Sequence, residues 1–269
     1  MKHGYLVILL FFISGTLFAA KVDTIVVQSK AMDKKVKAVV ITPQIYNQAN
    51  IYPVLYLLHG YSDNYATWIK RAPNVKDLCD QYNFMIVCPD GGYNSWYIDS
   101  PEDPDSQYET HIISELMPLI EQNYAVSKSK SGRAITGLSM GGHGALYLAI
   151  RHQDVFGAAG SMSGGVDLTY SVNSWEIKEK LGSYEQYPDR WHSNSISRMI
   201  DQINDDLKLI IDCGYDDFFF EINTTLHQDL LSKDKTHTFI VREGQHNWNY
   251  WPNAIIYQSL FFHRFFKGY

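Results

Sequence analysis

Near the middle of the chain the sequence reads Ile135-Thr136-Gly137-Leu138-Ser139-Met140-Gly141-Gly142-His143-Gly144, where a short apolar run meets an alanine-rich segment with helical spacing. It contains a G-x-S-x-G pentapeptide, and this context predicts a nucleophile elbow, a sharp strand-to-helix turn that raises the Ser139 hydroxyl above the end of a sheet. Gly137 and Gly141 flank the serine because a side chain at either position would collide with the neighbouring turn. The pentapeptide is a common chance match, so its interpretation depends on the rest of the chain.

Apolar runs and helical patterns alternate along the chain. The runs are Val54–Leu58, Met85–Cys88, Ala134–Leu138, Ala158–Met162, Leu207–Asp212 and Thr238–Val241. The helical patterns are Val75–Tyr82, Glu109–Tyr124, Gly142–Arg151, Glu221–Ser232 and Ala254–Phe266. We expect the runs to form parallel strands buried on both faces, preceded by antiparallel edge strands at Thr24–Gln28 and Val36–Thr42. This alternation predicts a doubly wound α/β sheet, whose ligands bind beyond the carboxyl ends of the strands.

Length and composition favour one α/β domain over residues 21–269. No Pro/Gly/Ser-rich stretch or charge run divides the chain of 269 residues. The segment 165–206 interrupts the alternation, and an insertion of this length in a compact domain is usually functional. We interpret it as a small cap that shapes the acyl or alcohol pocket.

The first twenty residues have the pattern of a secretory signal peptide. A short basic start at Met1-Lys2-His3 precedes an apolar block, Tyr5 to Ile13, and small residues end the segment at Ala19-Ala20. This apolar block is too short to span a bilayer with margin, and no stop-transfer charges follow it. We therefore expect cleavage near Ala20 and a secreted or periplasmic protein, rather than a retained membrane anchor.

Charge and motif content narrow the function classes. The formal net charge is −6 and no Lys/Arg cluster occurs, which disfavours a nucleic-acid partner or an anionic membrane surface and favours a small-molecule or carbohydrate substrate. No C-x-x-C, H-E-x-x-H, P-loop or G-x-G-x-x-G pattern points to a metal, nucleotide or redox cofactor. A Cys79–Cys88 disulfide is conceivable, but Cys88 and Cys213 each end an apolar run, where a free buried thiol is favoured.

A serine nucleophile needs a general base and an acid that orients it. His246 is our candidate base, because it follows a late strand and a glycine turn on the side where Ser139 is expected. His143, on the helix after the elbow, is the local competitor and is more easily explained as structural, whereas His59 precedes Gly60 and could shape a neighbouring loop.

Three acids follow the strand that ends near residue 212. Asp216 and Asp217 are adjacent and point to different sides, so only one can reach His246. Asp212 lies at the end of the strand itself and is interpreted as a buried hydrogen-bonding residue. An acyl-transfer site also needs backbone donors for the developing oxyanion, and the amides of Met140 and Tyr61 are the candidates.

The chain resembles the esterase D family of α/β-hydrolases, which includes feruloyl and acetyl-xylan esterases, S-formylglutathione hydrolases and mycolyltransferases. The resemblance covers nearly all of the mature chain and rests on Tyr56–Tyr61, Pro89–Gly92 with Ser95–Tyr97, Gly137–Gly141, Asp212–Asp217, and Gly244–Trp248 with Trp251. It implies an α/β-hydrolase fold and places the triad acid, the fourth residue of a G-x-x-D turn, on Asp217. It likewise implies oxyanion amides at Tyr61 and Met140.

Within this family, the secretion signal and the Trp96-Tyr97 segment resemble secreted bacterial carbohydrate esterases more than the cytosolic S-formylglutathione hydrolases. Trp96, Tyr97, Trp248 and Trp251 could line a cleft for an aromatic acyl group or sugar ring, or could pack around the triad. The resemblance implies a secreted serine carboxylesterase acting on acetyl or feruloyl esters of plant cell-wall polysaccharide through an acyl-serine intermediate. The alternatives are an acyltransferase with the same triad, an S-formylglutathione hydrolase-like thioesterase, or an inactive glycan-binding relative.

Overall fold

A computed structural model describes residues 19–269, so the predicted signal peptide lies outside the described residues except for Ala19 and Ala20. Eight strands form one sheet in the order β1-β2-β4-β3-β5-β6-β7-β8. The strands are β1 Lys21–Ser29, β2 Lys34–Thr42, β3 Val54–Leu58, β4 Met85–Pro89, β5 Arg133–Gly137, β6 Ala158–Met162, β7 Lys208–Gly214 and β8 His237–Arg242. The β1–β2 and β2–β4 pairs are antiparallel and the others are parallel. The predicted mostly parallel sheet with an antiparallel N-terminal edge is confirmed.

Helices cover both faces of this sheet. They are α1 Thr67–Arg71, α2 Val75–Tyr82, α3 Tyr108–Thr110, α4 Met117–Asn123, α5 Met140–Arg151, α6 Lys178–Leu181, α7 Pro188–Ser193, α8 Phe220–Ser232 and α9 Trp251–Phe266. A π-helical segment, His111–Leu116, joins α3 to α4, so the predicted helix over 109–124 exists but changes its hydrogen-bond pattern midway. The sequence patterns did not predict α1 or the short helices of the segment 165–206, because so few turns leave no clear period.

The central strands are buried on both faces, as the apolar runs indicate. All five residues of β3 are buried; Val54, Tyr56 and Leu58 join one hydrophobic cluster while Leu55 and Leu57 join the other. Strand side chains alternate between the two faces of a sheet, so an uninterrupted apolar run suits a strand with helices on both sides.

The prediction that the last strand is buried on both faces is wrong. β8 lies at the edge of the sheet, where it pairs only with β7, and Thr238 and Val241 are exposed. Its β-branched and aromatic residues are typical of a strand, but an apolar run does not indicate whether the strand lies in the centre or at the edge of the sheet.

Parallel pairing brings the ends of four strands to one edge of the sheet. Leu58 at the end of β3 pairs with Gly137 at the end of β5, and Gly214 at the end of β7 pairs with Arg242 at the end of β8. The loops that follow carry the residues singled out in the sequence. This edge is therefore where the candidate site is assembled.

The three cysteines are free and buried, in agreement with the favoured interpretation. Burial raises the pKa of each thiol well above its ordinary value. Within residues 19–269, none of the helices combines the length and the apolar character needed to cross a membrane.

Candidate active site

The turn between β5 and α5 holds Ser139 in a strained conformation. Ser139 has φ 54° and ψ −117°, a region that residues with side chains rarely adopt. A Cβ on Gly137 would lie 2.5 Å from the Gly141 carbonyl oxygen, and one on Gly141 would lie 2.5 Å from the His59 carbonyl oxygen. The two glycines therefore allow the close backbone approach that this turn requires, as the pentapeptide predicts.

Ser139, His246 and Asp217 form a hydrogen-bonded chain across the edge of the sheet. The Ser139 Oγ lies 2.8 Å from His246 Nε2, and His246 Nδ1 lies 2.9 and 3.0 Å from the two Asp217 oxygens. Because a carboxylate only accepts hydrogen bonds, the imidazole proton belongs on Nδ1, which leaves Nε2 to accept from the serine hydroxyl. Asp217 is buried and also accepts from the Phe219 N–H at 2.8 Å, so its orientation is fixed.

The other two acids of this segment lie elsewhere. Asp216 is exposed, whereas Asp212 is fully buried, accepts two bonds from Arg242 Nη2 at 2.8 and 2.9 Å, and accepts a further bond from the Tyr250 hydroxyl. Burial raises the pKa of the Asp212 carboxyl, with Tyr250 and Arg242 acting in the opposite direction. The structure thus brings Asp217, and neither neighbour, to His246.

The loop after β3 presents a backbone amide next to the elbow. His59 accepts from the Gly91 N–H through Nε2 at 2.7 Å and donates from Nδ1 to the Gly60 carbonyl at 2.8 Å. Its buried ring therefore fixes the backbone that leads to Tyr61, in line with the interpretation of His59 as a loop-shaping residue. Among the hydrogen bonds of the described residues, none uses the N–H of Tyr61 or of Met140, so both remain available to a ligand.

A cleft of about 340 Å³ opens above Ser139. Trp248 and Trp251 line it, as the sequence analysis proposed, together with Trp175 and Phe218, which it missed. Phe218 lies 4.2 Å from the His246 ring between centroids, and Trp175 stacks on Phe218 at 5.8 Å and 18°. Phe218 directly follows Asp217, a sequence signal that could have found it, whereas Trp175 reaches the cleft from the segment 165–206 with no local motif.

Trp96 and Tyr97 do not line this cleft, so the prediction that they bind substrate is corrected. Both are buried and have positive φ angles, of 54° and 59°. The Tyr97 hydroxyl donates to the His59 carbonyl and accepts from the His59 N–H, each at 3.0 Å. A Cβ on Gly144 would lie 2.4 Å from the Tyr97 ring. These rings support the loop and the elbow helix from behind, the packing role that was the other alternative.

His143, on the elbow helix, packs against Trp96 in the same region. Its Nδ1 lies 3.1 Å from the Trp96 carbonyl and its Nε2 lies 2.7 Å from the Asn194 carbonyl, so it faces away from the cleft. Burial lowers its pKa to about 4, with the two carbonyls acting in the opposite direction. Over residues 19–269, no three His, Cys, Asp or Glu side chains come together in a group that could hold a metal ion.

Comparison with known proteins places the chain among esterases. Residues 29–262 match the family model Esterase ("Putative esterase"). The chain is similar to an acetyl esterase of Caldicellulosiruptor saccharolyticus, with 25% identity over 214 residues that cover 75% of this chain and 79% of that protein. It is also similar to the diacylglycerol acyltransferase/mycolyltransferase Ag85B of Mycobacterium leprae, with 32% identity over 181 residues that cover 63% of this chain and 53% of Ag85B.

A solved structure of a ferulic acid esterase has the same architecture. It superposes with a TM-score of 0.77 at 30% sequence identity, and the match covers 93% of this chain and 99% of that one. Sequence and structure comparisons therefore agree over almost the full described chain.

Proposed function

The chain belongs to the Esterase family of carboxylic ester hydrolases and has the α/β-hydrolase fold, and from this we propose that it is a secreted serine esterase with Ser139, His246 and Asp217 as its catalytic triad. Its proposed substrates are acetyl or feruloyl esters on plant cell-wall polysaccharide. The observation that carries the proposal is the continuous Ser139–His246–Asp217 hydrogen-bond chain at the mouth of an aromatic cleft.

The geometry supports nucleophilic attack by Ser139. As its oxygen bonds to the ester carbonyl carbon, the hydroxyl proton moves to His246 Nε2, and the Asp217 carboxylate stabilises the imidazolium that forms. The negative charge that develops on the carbonyl oxygen accepts hydrogen bonds from the N–H groups of Tyr61 and Met140. Losing one such donor typically costs about 3 kcal/mol of transition-state stabilisation.

The same groups complete the turnover. Collapse of the tetrahedral intermediate breaks the ester C–O bond, and His246 gives its proton to the departing alcohol oxygen, which leaves an acyl-serine. Water then attacks the acyl carbon while His246 takes one water proton. Breakdown of this second intermediate returns that proton to the Ser139 oxygen and releases the carboxylic acid.

Three observations support the finer parts of the proposal. The acetyl esterase and the ferulic acid esterase to which the chain is similar name the two acyl groups. The aromatic side chains of the cleft suit a flat acyl group or a sugar ring. The N-terminal sequence pattern supports secretion.

Hydrolysis assays test this function. The mature protein is assayed on p-nitrophenyl acetate, p-nitrophenyl butyrate and methyl ferulate, beside Ser139→Ala and the surface control Ser232→Ala. We expect Ser139→Ala to lower kcat by about 10⁴-fold or more, while Ser232→Ala retains wild-type rates. The preferred ester assigns the acyl group. A folded wild-type protein without turnover on any ester would contradict the esterase assignment and favour a glycan-binding relative.

Acyl transfer is the second candidate function, because the chain is similar to the mycolyltransferase Ag85B. An acyl-serine can pass its acyl group to a sugar hydroxyl in place of water. Product analysis with added xylose or glucose separates the two: acylated sugar formed at the expense of free acid supports transfer, and free acid alone supports hydrolysis.

A further inference from the structure

A second cavity, of about 430 Å³, lies outside the catalytic cleft. Its wall combines residues of the sheet-and-helix body, among them Tyr147 and Arg151 of α5, with residues of the segment 165–206, among them Arg190 and Asn194. The π-helical segment His111–Leu116 contributes to the wall, and such segments are frequent at functional sites. None of the steps proposed above uses this cavity.

Arg151 is oriented at the rim of this cavity by one hydrogen bond and one ring contact. Its Nε donates to the Glu109 Oε1 at 2.8 Å, and its guanidinium lies 5.2 Å from the centroid of the Tyr147 ring. Glu109 is buried and is itself fixed by the Tyr147 hydroxyl at 2.9 Å and by His152 Nε2 at 2.8 Å. Among the described hydrogen bonds, those of Arg151 side-chain nitrogens use only Nε, so both Nη groups of a pre-oriented fork are available.

Arg190, in the segment 165–206, supplies a second oriented guanidinium to this cavity. Its centre lies 3.8 Å from the Tyr187 ring centroid, and its Nη1 donates to the Leu181 carbonyl at 3.1 Å and to Glu102. In the part of the chain that the structure describes, its Nη2 and Nε have no hydrogen-bond partner. Stacking on a tyrosine and one anchored nitrogen leave the remaining donors in a defined position.

The carboxylates around the cavity are already occupied. Glu109 accepts from three side chains, and Asp99 accepts from the Thr110 N–H at 3.0 Å and from the Thr110 hydroxyl. The cavity wall therefore has unused guanidinium donors on Arg151 and Arg190, while its carboxylates already accept bonds from neighbouring groups. A ligand that satisfies it must bring acceptor oxygens, and a carboxylate matches the fork of an arginine best.

We propose that this cavity binds a carboxylate-bearing sugar, such as a uronic acid residue, with Arg151 and Arg190 holding the carboxylate. The cavity is within the size range of small-molecule sites, and Ser114, Ser193 and Asn194 line it with groups that can bond sugar hydroxyls. Because its two arginines belong to the body and to the segment 165–206, the ligand bridges the two. The proposal is independent of the esterase assignment, since a free uronic acid contains no ester.

Binding and thermal-melting measurements with glucuronate, glucose, acetate and inorganic phosphate test the site. We expect glucuronate to bind and raise Tm, and glucose, which has the same ring without the carboxylate, to have no effect at the same concentration. Arg151→Lys and Arg190→Gln should each weaken glucuronate binding by about tenfold or more, because each removes part of a charge-assisted pair. Arg198→Gln is the matched control, an exposed arginine of the same segment that does not line the cavity.

The affinities of the variants and of the control ligands decide whether the proposed site exists. Loss of affinity in both variants, with Arg198→Gln unchanged and cooperative melting retained, supports the site. Arg190→Gln keeps the test decisive if Arg151→Lys disturbs the buried Glu109, because the Arg190 ion pair is partly exposed and contributes little to stability. Equal binding of glucose, binding of acetate or phosphate as tight as that of glucuronate, or unchanged affinity in Arg190→Gln overturns the proposal.

Discussion

Two histidines close to Ser139 have similar surroundings and different tasks. His143 lies against the rings of Trp96 and Tyr147 at 5.4 and 5.7 Å, and His246 lies against those of Phe218 and Trp251 at 4.2 and 5.1 Å. Only His246 stands between a hydroxyl and a carboxylate, whereas His143 stands between two backbone carbonyls.

The difference shows that distance along the chain does not select a general base. His143 is four residues from Ser139, yet the helix turns its ring toward the segment 165–206, where it joins two parts of the fold. His246 is 107 residues from Ser139 and reaches it because β5, β7 and β8 end at one edge of the sheet. A carboxylate behind an imidazole stabilises its cation, and two carbonyls in a buried site do so much less.

Replacing each histidine separates the two tasks. We expect His246→Ala to lower kcat/KM on p-nitrophenyl acetate by about 10⁵-fold, because the serine loses its proton acceptor. His143→Gln should change kcat/KM of the folded protein by less than about tenfold. Assays of both variants at matched folded concentration check this, and a large loss in His143→Gln alone would reverse the assignment of the base.

Asp216 and Asp217 are adjacent in the loop after β7, so their asparagine variants form a matched pair. Asp217→Asn should lower kcat by about 10⁴-fold, because an amide no longer holds the Nδ1–H tautomer, and Asp216→Asn should leave kcat nearly unchanged, because its side chain is exposed. Steady-state kinetics of both variants provide the measurement. Equal losses would show that Asp216 also acts on His246.

Much of the arrangement of the candidate triad could be predicted from the sequence. Apolar runs located the strands, and each candidate of the triad comes just after a strand, where the topology of a parallel sheet collects side chains. Spacing alone left Asp216 and Asp217 open, because adjacent residues on a turn differ only in direction. The resemblance to a known family selected Asp217, and the structure brings that residue to His246.

The contribution of His143 to stability should depend on pH. Its pKa in the folded protein is lowered to about 4 from 6.5, so the unfolded chain binds a proton more readily between these values. The His143 contribution is therefore complete above pH 6.5 and is lost as the pH falls toward 4, by up to about 3 kcal/mol of unfolding free energy.

Denaturant unfolding of the wild type and His143→Gln at pH 7 and pH 4 isolates this contribution from that of other groups. The wild type should lose more stability on acidification than the variant does. An identical loss in the two proteins would mean that His143 carries the same charge in the folded and unfolded states.

The aromatic surroundings could not be assigned from sequence. Trp96 and Trp175 are both tryptophans in loops, with positive φ angles of 54° and 52°, yet Trp96 packs behind the elbow and Trp175 lines the cleft. Composition and spacing carry no information on which side of a loop a ring takes. That direction depends on contacts with distant segments, such as the bond from Trp96 Nε1 to the Trp175 carbonyl.

The rings of Phe218 and Trp251 next to His246 line the catalytic cleft, whereas the rings next to His143 lie outside it, and this predicts the smallest effect. Phe218 is 48% exposed and faces both His246 and Trp175, so Phe218→Ala should lower kcat/KM on methyl ferulate by up to about tenfold and on p-nitrophenyl acetate by much less. Tyr215→Ala, at an exposed aromatic residue outside the cleft, is the control. If Phe218→Ala lowered both rates equally, the ring would act by positioning His246 rather than by contacting the acyl group, and the two imidazoles would differ only in their hydrogen-bond partners.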